Sequence, residues 1–375
     1  MRNSLLTLLF FISMITYSQG QQFNSTALDQ QLASLLSEKE PGLSVMVSQN
    51  GSPLYIYNRG LAQVEIEKVI NTGSRFRMAS VSKQVTALAI YQLIEKRRLA
   101  LSDNLGKWFR NLPAAIQDIQ VGQLLNHSSG IYDYEDLIPK DRQIQVMDGD
   151  IIDLLQNKNS LYFQPGTAFR YSNTGYCLLS LIVEKVSGLP FDIYVQQSLF
   201  DPLRLKFAAI YRPNAVIFDR VYGYHPEQGA FHFADQSITS GTQGDGGVYF
   251  SSQDFHLWTF NLLTDYFKRP RYEELQEENE KVVKDNVSYS LGFFKFTDKE
   301  GHSYLFHSGE STGFNNIISI DLHNKIIISV FTNRDDDLAS KAFERIQSAL
   351  YGEPFYKSFQ KPLFPWLAGI YAQGD

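Results

Sequence analysis

Three short segments carry the residue types that nucleophilic catalysis needs. In Ser80-Val-Ser-Lys83 a hydroxyl stands three residues ahead of an amine, where a strand-like pattern gives way to a helical one. Residues three apart share a helix face, so this spacing sets the amine beside the hydroxyl. A serine hydroxyl is a weak nucleophile until a neighbouring base takes its proton, and the field at a helix N-terminus favours the negative charge that then develops. Phe169-Arg-Tyr171-Ser-Asn173-Thr-Gly175 places a phenol and a carboxamide two residues apart, in a loop ahead of an apolar helical run. An extended loop points both side chains into one cleft. His307-Ser-Gly309-Glu310-Ser-Thr-Gly313 ends a strand, and its glycines leave room for a substrate backbone alongside. Taken singly, each has a plainer reading: a helix cap at Ser80, a loop tyrosine at Tyr171, a sheet histidine at His307.

The elements that must position these residues are legible in the hydrophobic periods. After a helix-like stretch with Leu28, Leu32, Leu35 and Leu36, residues 43–49 and 54–58 flank Asn50-Gly51, a strong hairpin signal. Residues 80–96 switch to a helical period, and the chain to about residue 265 reads as helix and loop. Strand patterns return at 290–296, 304–307, 316–321 and 325–331, and a helix over 338–351 stops at Gly352. Strands at both ends with helices between predict an α/β (α+β) fold, an antiparallel sheet flanked by helices and carrying a mostly helical inserted lobe. The expected division is a sheet lobe of residues 21–79 and 240–351, a helical lobe of 80–239 and a C-terminal tail of 352–375. The charge-rich stretch 272–285 reads as a solvated connection. Cys177, the one cysteine, falls in an apolar run ended by Gly188 and is expected in the core.

The chain has 375 residues, a formal charge of −6 and 43% hydrophobic residues, which excludes a disordered, collagenous or disulfide-rich protein. Nucleic-acid binding is not expected either, since no long Lys/Arg block supplies the clustered cations it needs. Arg2, the apolar residues 5–15 and the small polar residues 16–20 read as a secretory signal peptide, cleaved after Ser18 or Gly20. Its apolar run is about half of the roughly 20 residues a spanning helix needs, so no transmembrane segment is expected after its removal. The expected location is exported, periplasmic or extracellular.

Rival chemistries fit poorly. Ser358-Phe-Gln-Lys361 repeats the S-x-x-K spacing but precedes Pro362 and starts no helical pattern. Gly309-Glu-Ser311-Thr-Gly313 matches a G-x-S-x-G nucleophile elbow, yet strands rather than a helix follow it, and the only later histidine is His323 in their turn. The seven histidines include no H-E-x-x-H pair, and no P-loop or Rossmann fingerprint is present, so neither a metal nor a cofactor is expected. Gly241, Gly244, Gly246 and Gly247 read as a turn entering a strand along the cleft.

The order and combination of segments resemble the serine β-lactamase and penicillin-binding-protein superfamily, in its class C-like branch. The likeness runs over roughly residues 30–350 and includes Leu124-Leu-Asn-His-Ser-Ser-Gly130, Gln164-Pro-Gly166, Phe200-Asp-Pro-Leu203, Gly246-Gly-Val-Tyr-Phe-Ser-Ser252, Tyr289-Ser-Leu-Gly292 and Thr332-Asn-Arg334. The resemblance implies an exported serine hydrolase working through an acyl-enzyme. In it Ser80 is the nucleophile, Lys83 its proton partner, and Tyr171 the general base and acid that passes the proton to the leaving group. Asn173 binds the substrate amide, His307 and Gly309 line the strand edge that pairs with substrate, and the N–H groups of Ser80 and Glu310 form the oxyanion hole. Nearby cations such as Lys83 are expected to favour the Tyr171 phenolate. The branch's β-lactamases carry Lys-Thr-Gly where this chain has His307-Ser-Gly309. A histidine that loses its charge near its ordinary pKa holds an anionic β-lactam less firmly, and the Glu310 carboxylate adds to that. The expectation is therefore a D,D-carboxypeptidase, D-aminopeptidase or esterase acting on a small-molecule or peptide substrate, peptidoglycan-derived peptides included. A β-lactamase and a non-turnover penicillin-binding or sensor protein are the alternatives.

Overall fold

The computed structural model describes residues 23–352 and 370–372. The leader at 1–20 and the second S-x-x-K at 358–361 lie outside the described residues. Among the described residues no helix is long and apolar enough to cross a membrane.

The two termini build one sheet. Strands β1 (Leu43–Gln49) and β2 (Ser52–Arg59) join β3 (Lys281–Lys284), β4 (Val287–Ser290), β5 (Phe293–Thr297), β6 (Ser303–Ser311), β7 (Phe314–Asp321) and β8 (Ile326–Thr332) in the order β3-β4-β5-β6-β7-β8-β1-β2, antiparallel throughout. Asn50 and Gly51 both take positive φ, as a two-residue turn between right-twisted strands requires. Residues 43–48 of β1 are buried on both faces. On one face Ser44 Oγ bonds to Ser252 Oγ at 2.8 Å, at the start of the helix Ser252–Thr264, and Phe331 packs edge-on against Phe255. Helices Ser25–Ala33 and Leu338–Tyr351 pack against each other, the first also touching β2 and the second β7 and β8.

The structure subdivides two segments that the hydrophobic pattern had merged. The strand expected over 290–296 is two strands, folded back at Leu291-Gly292, where both residues take positive φ. A Cβ on Gly292 would lie 2.6 Å from backbone atoms of Gln84, so this turn sits directly on the start of the central helix. The expected connection at 272–285 is the helix Pro270–Asn279 followed by edge strand β3; Tyr272 and Leu275 are buried, and two apolar anchors among charged residues suffice to dock it. Short strands also occur within the stretch read as helix and loop, among them the hairpin Tyr224–Glu227 with Ala230–Phe233.

The helix α1 (Lys83–Glu95) runs between sheet and helical lobe and is buried from Lys83 to Ile94. Its apolar face alone, Val85, Leu88, Ala89 and Leu93, suggests an ordinary amphipathic helix. Its polar face is covered too, because each buried polar group finds a partner. Gln84 accepts from Trp258 Nε1 at 2.7 Å, Thr86 donates to Gly244 O at 2.6 Å, and Gln92 donates to Ser198 O and Tyr266 OH. The helix α2 (Asn173–Ser187) packs on α1 and buries Cys177 completely; Gly188, at φ +79, ends it.

Candidate active site

Ser80 lies on a 3₁₀ turn, Ala79–Ser82, that leads into α1, rather than on the first turn of the helix itself. In a 3₁₀ turn residues three apart eclipse, which keeps Lys83 on the face of Ser80. Several bonds fix the turn. Met78 N donates to Val248 O at 2.9 Å, Val248 N to Ser82 Oγ at 3.0 Å, and Asn316 Nδ2 to Arg77 O at 2.9 Å. Ala79 is held at φ +47, a backbone conformation that costs an alanine free energy and that the surrounding contacts impose immediately before the nucleophile position.

The Lys83 ammonium is fully buried and has three acceptors: Ser80 Oγ at 3.0 Å, Asn173 Oδ1 at 2.8 Å and the Asp245 carbonyl at 3.0 Å. All three donors are thereby engaged. Burial lowers the Lys83 pKa, with the charge of Asp245 opposing that shift. A lysine made less basic in this way is suited to take a proton from the hydroxyl it touches.

Tyr171 follows the short strand Ala168–Arg170. His127 lies against its ring, centroids 4.2 Å apart, and Lys83 Nζ is 4.8 Å from the ring centre. His127 Nδ1 accepts from Ser172 N at 3.2 Å, and burial with the nearby Lys83 charge holds this histidine neutral. The Tyr171 hydroxyl is buried and makes no bond of good geometry. Its pKa stands well above 10, raised first by burial; the Ser80 hydroxyl lowers it, and Asp245, Asp133 and Glu135 raise it further. The expected phenolate is thus corrected. Tyr171 rests as a neutral phenol beside Ser80, able to give a proton, while Lys83 is the group in bonding contact with the serine.

Asn173 opens α2. Its backbone N–H donates to Asp133 Oδ2 at 2.6 Å, its Oδ1 accepts from Lys83, and its Nδ2 donates to Glu135 Oε1 at 3.1 Å. The carboxamide is therefore oriented at both ends. Asp133 also caps the 3₁₀ turn Tyr134–Leu137 by accepting from Glu135 N at 3.1 Å. Glu135 is exposed, and desolvation together with the charges of Asp133 and Asp245 pushes its carboxyl up to about 7.

The opposite wall is β6. Strand β5 pairs it only over Ser303–Phe306, so residues 307–311 have a free edge on that side. The hairpin pair Ser311 and Phe314 sets the alternation of the β7 ladder: Gly309 and Ser311 bond to β7, and Ser308 and Glu310 direct their backbone groups to the free edge. A Cβ on Gly309 would meet Met78 O at 2.1 Å and Ser80 N at 3.3 Å. The room this glycine leaves is filled by the protein's own Ser80 turn. The backbone of Gly309, next to Glu310, is thereby brought close to Ser80 N. His307 is buried completely; Nδ1 donates to Ser308 O at 2.6 Å and Nε2 lies 3.4 Å from Tyr289 OH. Burial, with Lys83 nearby, pushes its pKa down to about 3, so it is neutral across the usual range rather than switching near 6.5. Ser311 lies in the β6–β7 hairpin with no helix after it, as expected.

Four contributors carry no sequence signal of their own: His127, Asp133, Glu135 and the carbonyl of Asp245. His127 lies in a segment that carries the family resemblance, and its residue type alone assigns it no role. Asp245 lies in the glycine-rich turn and acts through its backbone, which no side-chain pattern reports. Asp148, Cys177 and Asp245 bring metal-ligand atom types within 4.8 Å of one another. Asp148 is already occupied, accepting from Ser180 Oγ at 2.9 Å, Gln243 N at 2.7 Å and Gly244 N at 3.1 Å, so it anchors the Asp245 turn.

Comparison with known proteins places this geometry in context. A sequence model of the family described as Beta-lactamase matches residues 26–353. A penicillin-binding protein of Bacillus subtilis strain 168 is 28% identical over 339 residues, covering 83% of this chain and 73% of the relative. Protein flp of Staphylococcus aureus strain N315 is 23% identical over 343 residues; the match takes in 85% of this chain but only 64% of that protein. Among solved structures, a penicillin binding protein from Bacillus halodurans superposes with a TM-score of 0.76 at 23% identity, over 86% of this chain and 98% of that one. The D-amino acid amidase of Ochrobactrum anthropi SV3, in its complex with L-phenylalanine amide, gives 0.73 at 21% identity, over 90% and 99%.

Proposed function

The chain belongs to the beta-lactamase family and is a serine hydrolase of the acyl-enzyme type, and we propose that its substrates are amides or esters of the peptidase and esterase kind rather than β-lactam antibiotics. The observation that carries this reading is the Lys83 Nζ–Ser80 Oγ contact of 3.0 Å, with a neutral phenol beside the same hydroxyl. With its pKa lowered by burial, Lys83 acts in its neutral amine form and accepts the Ser80 proton as Oγ bonds to the substrate carbonyl carbon. The oxygen becomes negative and is held by the N–H groups of Ser80 and Glu310. Tyr171 gives its proton to the leaving nitrogen or oxygen as that bond breaks, and Lys83 returns the proton to the tyrosine. Water then cleaves the Ser80 ester by the same exchange in reverse.

Two observations favour this substrate class over anionic β-lactams. His307, where the resemblance places a lysine in β-lactamases, is neutral and buried. Glu310 adds an exposed carboxylate on β6, two residues past Ser308. A D-amino acid amidase among the structural neighbours fits the amide reading. Export through the leader at 1–20 belongs to the same proposal, and Edman sequencing of secreted protein tests it. The enzymatic reading is tested by intact-mass measurement after exposure to a fluorescent penicillin, an acyl ester panel and D-amino-acid amides, with Ser80→Ala as control. Turnover of esters or amides with at most a persistent penicillin adduct is the expected result; fast β-lactam turnover with inert esters and amides overturns it.

A further inference from the structure

Charges are distributed unevenly around Ser80. Asp133, Glu135 and Asp245 all lie near enough to raise the Tyr171 pKa, while Lys83 is the one cation bonded within the constellation. Its three donors are held by Ser80, Asn173 and Asp245, which leaves none for a ligand. His127 and His307 are neutral. The opening therefore repels a carboxylate and attracts a cation.

Of the three carboxylates, only one is presented outward. Asp245 is buried. Asp133 uses one oxygen for Asn173 N and the other for Glu135 N. Glu135 is exposed and has one oxygen engaged, by Asn173 Nδ2. A single carboxamide thus separates its carboxylate from the Lys83 ammonium, which itself touches the nucleophile. Independently, the Tyr171 hydroxyl is nine-tenths buried, makes no bond of good geometry and neighbours Ser80, so it offers a polar group to a ligand at this same opening.

We propose that Glu135 anchors a free ammonium group of the substrate, so that the hydrolysed amides or esters carry an unblocked amine next to the scissile carbonyl, as amino acid amides and the amino ends of short peptides do. This rests on Ser80 being the nucleophile. An α-ammonium is two bonds from the carbonyl carbon, and a charge-assisted bond to Glu135 orients that carbon toward Ser80 while Asn173 holds the carboxylate in place. The pair requires an ionised carboxyl and a protonated amine. With Asp133, Asp245 and Lys83 facing Glu135, binding strengthens as pH rises through about 7 and weakens once the amine, with an ordinary pKa of about 7.7 to 8, loses its proton.

The test follows Ser80 modification by a fluorophosphonate, using D- and L-phenylalanine amide and their N-acetyl derivatives as protecting ligands. In the wild type a free-amine amide is expected to protect at a concentration at least tenfold below that of its acetylated form. Glu135→Gln, which keeps an acceptor for Asn173, should bring the ratio near one; Asp136→Asn, an exposed neighbour, should leave it unchanged. Equal protection or none in the wild type, or an amine preference that survives Glu135→Gln, overturns the assignment. A reagent that modifies a residue other than Ser80 defeats the serine reading instead, and the mass of the labelled peptide distinguishes the two failures.

Discussion

The two walls of the site are made differently. The sheet wall, residues 307–311 of β6, works through backbone: a strand paired along one side, free on the other, with a neutral buried histidine and a glycine that admits the Ser80 turn. The helical wall works through side chains, with Asn173, Asp133 and Glu135 joined by hydrogen bonds and the Tyr171 phenol biased by three carboxylates. Backbone donors in a ladder suit any acyl group, because every tetrahedral intermediate presents the same oxyanion. Side-chain charges suit some substrates and reject others. On the proposed mechanism, the sheet wall stabilises the transition state in general, and the helical wall handles protons and selects the substrate.

The largest effect is expected where both walls converge. Ser80→Ala should reduce fluorophosphonate labelling to background with the thermal midpoint preserved, read by intact mass; labelling that persists but disappears in Ser311→Ala would move the nucleophile to the hairpin. Next comes the helical wall's proton donor. Tyr171→Phe should slow acylation by about 10² to 10⁴ with unactivated amides and far less with nitrophenyl esters, whose leaving group needs no proton. Similar losses with both substrates would make Tyr171 the base, and no loss with either would make it structural.

For the sheet wall, Gly309→Ala drives a methyl into Met78 O and should destabilise the fold by about 1–3 kcal/mol, as overpacking does, or displace the Ser80 turn and depress turnover. Denaturant titration alongside acylation rates separates the two, and a variant normal in both breaks the claim that this glycine seats the turn. The walls also differ in pH response. Turnover of amine-bearing substrates should rise through about 7 with ionisation of Glu135, and Glu135→Gln should remove that step. No step from His307 is expected there, because its pKa is pushed down to about 3. The smallest effect concerns stability. An unfolded histidine takes a proton near 6.5 and the buried His307 does not, so its contribution is complete above 6.5 and is lost as pH falls toward 3. His307→Phe should show a shallower loss over that window in thermal unfolding; an identical slope would mean that His307 titrates alike in both states.

Local signals were reliable wherever the physics is local. The Asn50-Gly51 turn, the helix Leu338–Tyr351 with Gly352 after it, and the placement of Ser80 and Lys83 on one face all follow from spacings of a few residues. The pattern failed where long-range packing overrides it. Leu291 occupies a left-handed turn that no asparagine or aspartate advertises, so two strands read as one. Gln84, Thr86 and Gln92 look solvent-facing until partners distant in the chain cover them.

Residue types and their order determined the serine, the lysine, the tyrosine and the antiparallel sheet with its helical insertion. Their protonation states were decided by tertiary structure alone. The Lys83 amine is tuned by burial against the charge of Asp245, the Tyr171 phenol by burial and by carboxylates at 133, 135 and 245, and His307 by burial among aromatic rings. A pKa depends on desolvation and on charges a few ångströms away in space, and those neighbours are set by how remote segments pack rather than by the residues on either side in the chain.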